Sequence, residues 1–227
     1  NSGTSVNVSS FNSVYTDATL GTVHSASSNL GAPTTVADGI ITLGQGGNQQ
    51  TITLTYTGAG ETTDRVINYI VNGSGAKNIN ASGTGLLKFT SAITGSGGAN
   101  NMGFGGTGLG EVVQGLPSNM TGGLTKSGAG TWYFDGATAY SGTTTITGGS
   151  MVLNNAAAIP GGIGTTGGTS ALTFNGGVLG LGAGDFTRNL AAAGTVTGAN
   201  FAGNGGWAAY NADRVVNLGG ASAQIAW

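Results

Sequence analysis

Short runs in which apolar and polar residues alternate cover most of this sequence. In the cleanest, residues 51–57, Ile52, Leu54 and Tyr56 alternate with threonines. A period of two puts alternate side chains on opposite faces of an extended strand, so each run predicts a short β-strand with one buried face. Similar runs predict strands at residues 5–9, 14–16, 34–36, 40–43, 65–71, 77–81, 86–90, 131–134, 143–147, 150–153, 171–174, 178–181, 195–196, 206–210, 215–218 and 224–227.

Glycine-rich corners separate these strands. In residues 123–155, such corners alternate with three strands, and glycine takes positive φ there without strain. Strands of four or five residues joined by sharp bends cannot bury their apolar faces alone, so they need similar units above and below them. The pattern predicts an all-β fold, a β-solenoid whose coils stack into one column. The glycine-dense residues 98–122 predict less regular structure.

Two pairs of similar segments recur along the sequence, and the spacing of the first pair indicates the length of one coil. Two stretches 45 residues apart share an opening Ser-Gly-x-Gly and align Phe89 with Phe134. Residues 64–69, DRVINY, return as residues 213–218, DRVVNL. An offset of 45 equals two coils of about 22 residues, so the chain is expected to form about ten coils.

We expect one solenoid domain over residues 1–227, with residues 1–50 as a candidate irregular cap and 123–155 as the clearest repeat. Like residues lie over one another in such a stack, as in other stacked sheets. The candidates for a core ladder are Phe89, Trp132, Phe134, Tyr140 and Leu153. The end of a solenoid exposes unpaired backbone groups. Because residues 223–227 read as a strand, Ile225 and Trp227 are the candidates for an assembly end.

Composition narrows the range of partners. Charged residues make up 6% of the chain and the net charge is −2, so nucleic acid is a poor partner. The absence of cysteine excludes disulfides and thiolate metal sites. No apolar run is long enough to predict a membrane-spanning helix. A hydroxyl-rich, nearly neutral surface suits a fibre or a cell-surface structure and gives little protection against self-association.

The run LTKSGAGTW and the later YSGTT and VLNN resemble the autotransporter-associated β-strand repeat. The positions that fit its pattern are Leu124, Lys126, Gly128, Gly130, Trp132, Tyr140, Gly142, Thr143, Gly149 and Leu153. The resemblance is tight over about one seventh of the chain. It implies a right-handed parallel β-helix, export, and a role outside the cell or on the bacterial outer surface. The chain shows neither a translocator barrel nor a sorting tail, so the resemblance leaves the export route and the anchor open.

The sequence offers little for catalysis. His24 is the only histidine and stands in an irregular segment, so we interpret it as structural or solvated. Several acids have a base within three residues, which suits a local ion pair or a turn cap. These pairs are Asp64/Arg65, Asp185/Arg188 and Asp213/Arg214. We expect no enzyme activity, cofactor or metal.

Three hypotheses remain open. The first is an extracellular structural solenoid whose partners are copies of itself, joined end to end by strand addition. The second is an adhesin or carbohydrate-binding module for surface glycans, with Tyr133 and Tyr140 as the residues to test. The third is a polysaccharide-active enzyme that depends on Asp64 or Asp213.

Overall fold

The alternating runs fold into parallel strands that stack coil upon coil. The structure is a computed structural model, which describes residues 3–16, 21, 23–44, 50–70, 75–96, 98–99, 101–164, 168–192 and 197–219. Its strands are β1 Thr4–Val8, β2 Tyr15–Thr16, β3 Val23–His24, β4 Ile41–Leu43, β5 Ile52–Tyr56, β6 Glu61–Thr63, β7 Ile67–Tyr69, β8 Lys77–Ala81, β9 Leu86–Phe89, β10 Thr94–Gly95, β11 Met102–Gly105, β12 Leu109–Val112, β13 Leu124–Lys126, β14 Thr131–Phe134, β15 Thr144–Ile146, β16 Ser150–Leu153, β17 Leu172–Phe174, β18 Val178–Leu181, β19 Phe186–Arg188, β20 Ala199–Phe201, β21 Gly206–Ala209 and β22 Val216–Leu218. In the described residues, no helix is long and apolar enough to cross a membrane.

Two long parallel sheets form the main faces of the column. The first sheet has the order β1-β5-β8-β11-β13-β15-β17-β20, and the second has the order β6-β9-β12-β14-β16-β18-β21. From β5 onward, each strand of the first sheet is followed by one of the second, with a glycine-rich corner between them. Shorter parallel sheets, β4-β7-β10 and β19-β22, add a third side to some coils, and β2 and β3 form an antiparallel hairpin. The predicted fold class, an all-β solenoid, is confirmed.

The register confirms that 45 residues equal two coils in the second sheet. Phe89 pairs with Val112 on the next strand, and Val112 pairs with Phe134 on the one after. Leu153 follows in the same column. All four side chains are at most 1% exposed, so the column is a continuous apolar stack.

The predicted number of coils, about ten, is wrong. The longest sheet has eight strands, and the coils are not of equal length. The first sheet is reached again only after 48 residues, from Thr4 to Ile52, because the β2–β3 hairpin and a turn-rich segment intervene. A later coil runs from Thr144 to Leu172. Insertions at corners lengthen a coil without disturbing the register, so one local offset overestimates the count.

Two other predictions also differ from the structure. Residues 34–36 form turns, because the Thr35 hydroxyl accepts a hydrogen bond from the Asp38 amide at 3.1 Å and holds a tight bend. The glycine-dense residues 98–122 contain β11 and β12, with Met102 and Phe104 pointing into the core. Gly103 and Gly105 take the outward positions under the side chains of the preceding coil. The predicted strands at 195–196 and 224–227 lie outside the described residues.

Candidate functional site: the coil stack and its two ends

The aromatic residues of the central coils fill the core. Trp132 is fully buried, and its indole Nε1 donates a hydrogen bond to the Gly105 carbonyl at 2.8 Å. It pairs in register with Gly110, whose missing side chain makes room for the indole ring: a Cβ there would lie 2.5 Å from the Trp132 Cε2. Phe104 contacts Trp132 and Phe134, at ring-centroid distances of 4.7 and 5.2 Å.

Tyr140 occupies the corner between β14 and β15 and is 1% exposed. Its hydroxyl shares a hydrogen bond of 2.6 Å with the Thr144 hydroxyl, and burial raises its pKa. Tyr140 is therefore a core residue and does not offer a surface for glycans. Tyr133, one position after Trp132, points to the outer face and is half-buried.

Buried cations stabilise several corners of the column. The Lys126 ammonium donates to the carbonyl oxygens of Ser127, Gly128 and Gly148 at 2.7 to 3.1 Å. Its side chain is fully buried, and this desolvation lowers its pKa to about 8. The three acceptors belong to two successive glycine corners, so Lys126 ties neighbouring coils together.

Arg188 plays the same role near the carboxyl-terminal end of the column. It is 1% exposed and donates to the carbonyls of Pro160, Gly162 and Ser170, at 2.6, 2.8 and 2.9 Å. Burial lowers the pKa of its guanidinium. Lys77 and Arg65 are likewise buried and bonded to carbonyls. Sequence reasoning missed these buried cations. The alternation did contain a signal, because Lys126 is two residues after Leu124 and therefore points to the same inward face of the strand.

Two carboxylates from the sequence-predicted acid–base pairs cap backbone amides. Asp64 accepts from the Val14 amide at 2.8 Å, and Asp185 accepts from the Val215 amide at 2.9 Å. Asp64 lies beside the first strand of the second sheet and Asp213 beside the last, six strand spacings or roughly 29 Å apart. Paired carboxylates of glycosidases lie within about 10 Å of each other. These two acids therefore do not form one site.

His24 lies in the β2–β3 hairpin, where its ring stacks on Tyr15 at a centroid distance of 4.4 Å. Within the described ranges, no three His, Asp or Glu side chains are grouped to hold a metal ion. Lys88 and Glu111 form a direct ion pair between side chains on the outer face of the second sheet.

The amino-terminal end of the column carries an edge strand. Residues 4–7 of β1 are exposed, and the Val6 side chain is 41% exposed. The neighbouring end of the second sheet is covered differently: the Glu61 carboxylate accepts hydrogen bonds from the amides of Phe11 and Asn12. Side-chain caps thus replace a strand over β6, whereas no strand of the described residues pairs with the outer edge of β1.

The carboxyl-terminal end of the first sheet is partly covered. Leu190 forms a bridge with Ala199 of β20, and the Ala191 amide donates to the Ala199 carbonyl at 2.8 Å. The predicted assembly residues Ile225 and Trp227 lie outside the described residues.

Comparison with known proteins identifies one segment. Residues 124–153, from the first residue of β13 to the last of β16, match the model of the passenger-associated-transport-repeat family. No curated protein and no solved structure matches the chain. The match and the parallel solenoid together fit an autotransporter passenger-like β-helix. The matched segment comprises one complete coil, from Leu124 to Thr144, and the two strands β15 and β16 of the next; it includes Trp132, Tyr140 and Lys126.

Proposed function

We propose that this chain is a non-enzymatic structural module of a secreted passenger-type protein, a stiff β-solenoid that acts outside the cell. The observation that carries the proposal is the eight-strand parallel stack with a continuous apolar core. Backbone hydrogen bonds between coils run along the column, so the seven steps between strands give a stack roughly 34 Å long. The passenger-type repeat supports a location on the outer surface.

The finer part of the proposal is end-to-end association through β1. An exposed edge strand is a template for strand addition. Val6 on β1 and Phe201 on β20 occupy the first and last positions of the same column of paired residues in the first sheet. A second copy is therefore the proposed occupant of the β1 edge. Its β20 end must release the Leu190 bridge before it can pair, which makes association weak and dependent on concentration.

Light scattering and electron microscopy over a range of protein concentrations test both parts. Val6→Lys places a charge on the edge strand and is expected to abolish particles longer than one column. Thr145→Lys, in the middle of the same sheet and on its outer face, is the matched control and should leave them unchanged. Compact particles would contradict the proposed stiff solenoid module. Monodisperse rods at every concentration would be consistent with the solenoid module but would overturn the proposed end-to-end association.

A further inference from the structure

Two asparagines near the carboxyl-terminal end of the column stand in the same local sequence. Residues 175–177 and residues 204–206 both read Asn-Gly-Gly, and the side chains of Asn175 and Asn204 are both exposed. Asn175 lies in the corner between β17 and β18, and Asn204 lies in the corner between β20 and β21 of the next coil. Since the local sequences match, a difference in reactivity between the two sites must come from the fold.

An asparagine followed by glycine can react with its own backbone. The glycine nitrogen attacks the side-chain carbonyl carbon of the asparagine, a new C–N bond forms, and the side-chain nitrogen takes the amide proton and leaves as ammonia. Water then opens the five-membered succinimide to aspartate or isoaspartate. Glycine favours the attack because it has no Cβ and an unrestricted backbone. An amide that donates a hydrogen bond in the fold is protected, because it must be released before it can react.

The two glycine amides differ in their hydrogen bonds. The Gly176 amide donates to the Asn204 carbonyl of the next coil at 2.5 Å, whereas the Gly205 amide has no acceptor within the described residues. The Asn175 side chain also packs against the next coil, since a Cβ at Gly203 would lie 2.6 Å from its Oδ1. The fold therefore leaves the reacting groups free at Asn204 and holds them at Asn175.

We propose that Asn204 is a site of spontaneous succinimide formation and deamidation, and that the fold protects Asn175 from the same reaction. The only co-reactant is water, which opens the succinimide. The modification is independent of the structural role proposed above, because it depends on one corner of the last coils and not on association between copies.

The reaction changes the chemical character of the carboxyl-terminal coil. Asn204 and Gly205 line an open cavity of about 560 Å³ beside β20, and none of the described residues that line it is charged. Deamidation gives this lining a carboxylate and adds one negative charge to a chain whose net charge is −2. The isoaspartate product also lengthens the backbone of the corner by one atom. The end coil is therefore the part of the column that we expect to change with age.

The test is a time course of the folded chain at mildly alkaline pH, read by mass spectrometry of peptides cut after lysine and arginine. Asn175 falls in the peptide 127–188 and Asn204 in the peptide 189–214. A third Asn-Gly pair, at residues 72–73, lies outside the described residues and falls in its own peptide, 66–77. Asn204 should be modified at least about tenfold faster than Asn175, the factor that corresponds to about 1.4 kcal/mol of protection.

A second measurement observes the protecting hydrogen bond directly. Amide hydrogen exchange followed by NMR should be slower for Gly176 than for Gly205, because only the Gly176 amide donates to a carbonyl of the fold. This readout does not depend on the chemical reaction.

Two controls separate the fold from the intrinsic chemistry. In a denaturant that unfolds the chain, Asn175 and Asn204 should react at the same rate. Asn204→Gln keeps the backbone carbonyl that protects Gly176 but lengthens the side chain, so the five-membered ring cannot form. This variant should lose modification at residue 204 and keep the slow rate at Asn175. The matched variant Asn175→Gln should leave the rate at Asn204 unchanged.

Three results would overturn the proposal. The first is that Asn175 reacts as fast as Asn204 in the folded chain, or that Asn204 reacts only when the chain is unfolded. The second is that the Gly176 amide exchanges as fast as the Gly205 amide. The third is that the difference in rate persists in denaturant, because the flanking residues and not the fold would then determine it.

Discussion

Trp132 and Trp207 occupy the same column of the second sheet, three strands apart, and their surroundings differ sharply. Trp132 lies in the middle of the stack, is fully buried, and bonds through its indole to Gly105. Trp207 lies on the last strand and is half-buried, and within the described residues its indole nitrogen has no partner. The same side chain in the same register is therefore completed by neighbouring coils in one place and left incomplete in the other.

This difference teaches that the stack, more than the residue type, determines burial and hydrogen bonding here. A central coil has a coil on each side, and its inward positions are closed from both directions. The last coil repeats the register but ends in Ala209 where central coils have Phe134 and Leu153. Central coils therefore hold the fold together, and the end coils are where polar and apolar groups remain available for a partner.

The largest expected effect is the contrast between the two tryptophans. Trp132→Ala should lower the free energy of unfolding by about 3 to 5 kcal/mol, because it leaves a large cavity that adjoining coils cannot fill. Trp207→Ala should cost less than half as much, since the ring is only partly enclosed. Urea unfolding curves of both variants measure the difference. Equal losses would mean that the end coil is as closed as the centre.

Two strand glycines of the second sheet, one in a central coil and one in the last, provide the next contrast. Gly110→Ala should cost about 1 to 3 kcal/mol, because its Cβ would lie 2.5 Å from Trp132 atoms. Gly206→Ala, on the last strand of the same sheet, meets nothing within 4 Å and should change stability by less than about 0.5 kcal/mol. Thermal unfolding of the two variants checks this. A well-tolerated Gly110→Ala would contradict the close fit of the indole against the neighbouring coil.

The strand alternation and the 45-residue offset were sufficient to predict the solenoid and the two-coil spacing of Phe89 and Phe134. The coil count failed because the corner insertions differ in length, and nothing in the local pattern of residues 1–50 measures them. The cage of Lys126 could not be predicted either, because its acceptors are backbone carbonyls from corners about 20 residues apart. The contrast between Asn204 and Asn175 depends on a hydrogen bond between coils, which no periodicity reveals.

Lys126 gives a smaller effect that depends on pH. Its pKa is about 8 in the folded chain and 10.5 when unfolded, so between these values the unfolded state binds more protons. Stability should therefore rise from pH 8 to 9.5 by about 1 to 2 kcal/mol, and be lost again on return to pH 8. Above pH 10, Tyr69, whose burial raises its pKa to about 12, opposes the trend.

Unfolding curves at pH 8 and 9.5 for the native chain and for Lys126→Met measure this rise as a difference. Lys126→Met should lose most of it, and Lys77, whose pKa is also lowered by burial, should account for the smaller part that remains. Lys88→Met is the control, because Lys88 is partly exposed and its partner Glu111 raises its pKa, so this variant should keep the rise. A native chain whose stability is flat over this range would contradict a buried, desolvated ammonium at the glycine corners.

The smallest effect compares the two faces of the central coils. Tyr140→Phe removes the hydroxyl that bonds to Thr144, whose side chain is 1% exposed, and should cost about 1 kcal/mol. Tyr133→Phe removes a hydroxyl from the outer face, where water replaces its interactions, and should cost nothing measurable. Chemical denaturation with repeated measurements resolves this difference. If Tyr133→Phe were the costlier change, the outer face would carry a packed interaction of its own, and the division between a closed core and an open surface would not hold.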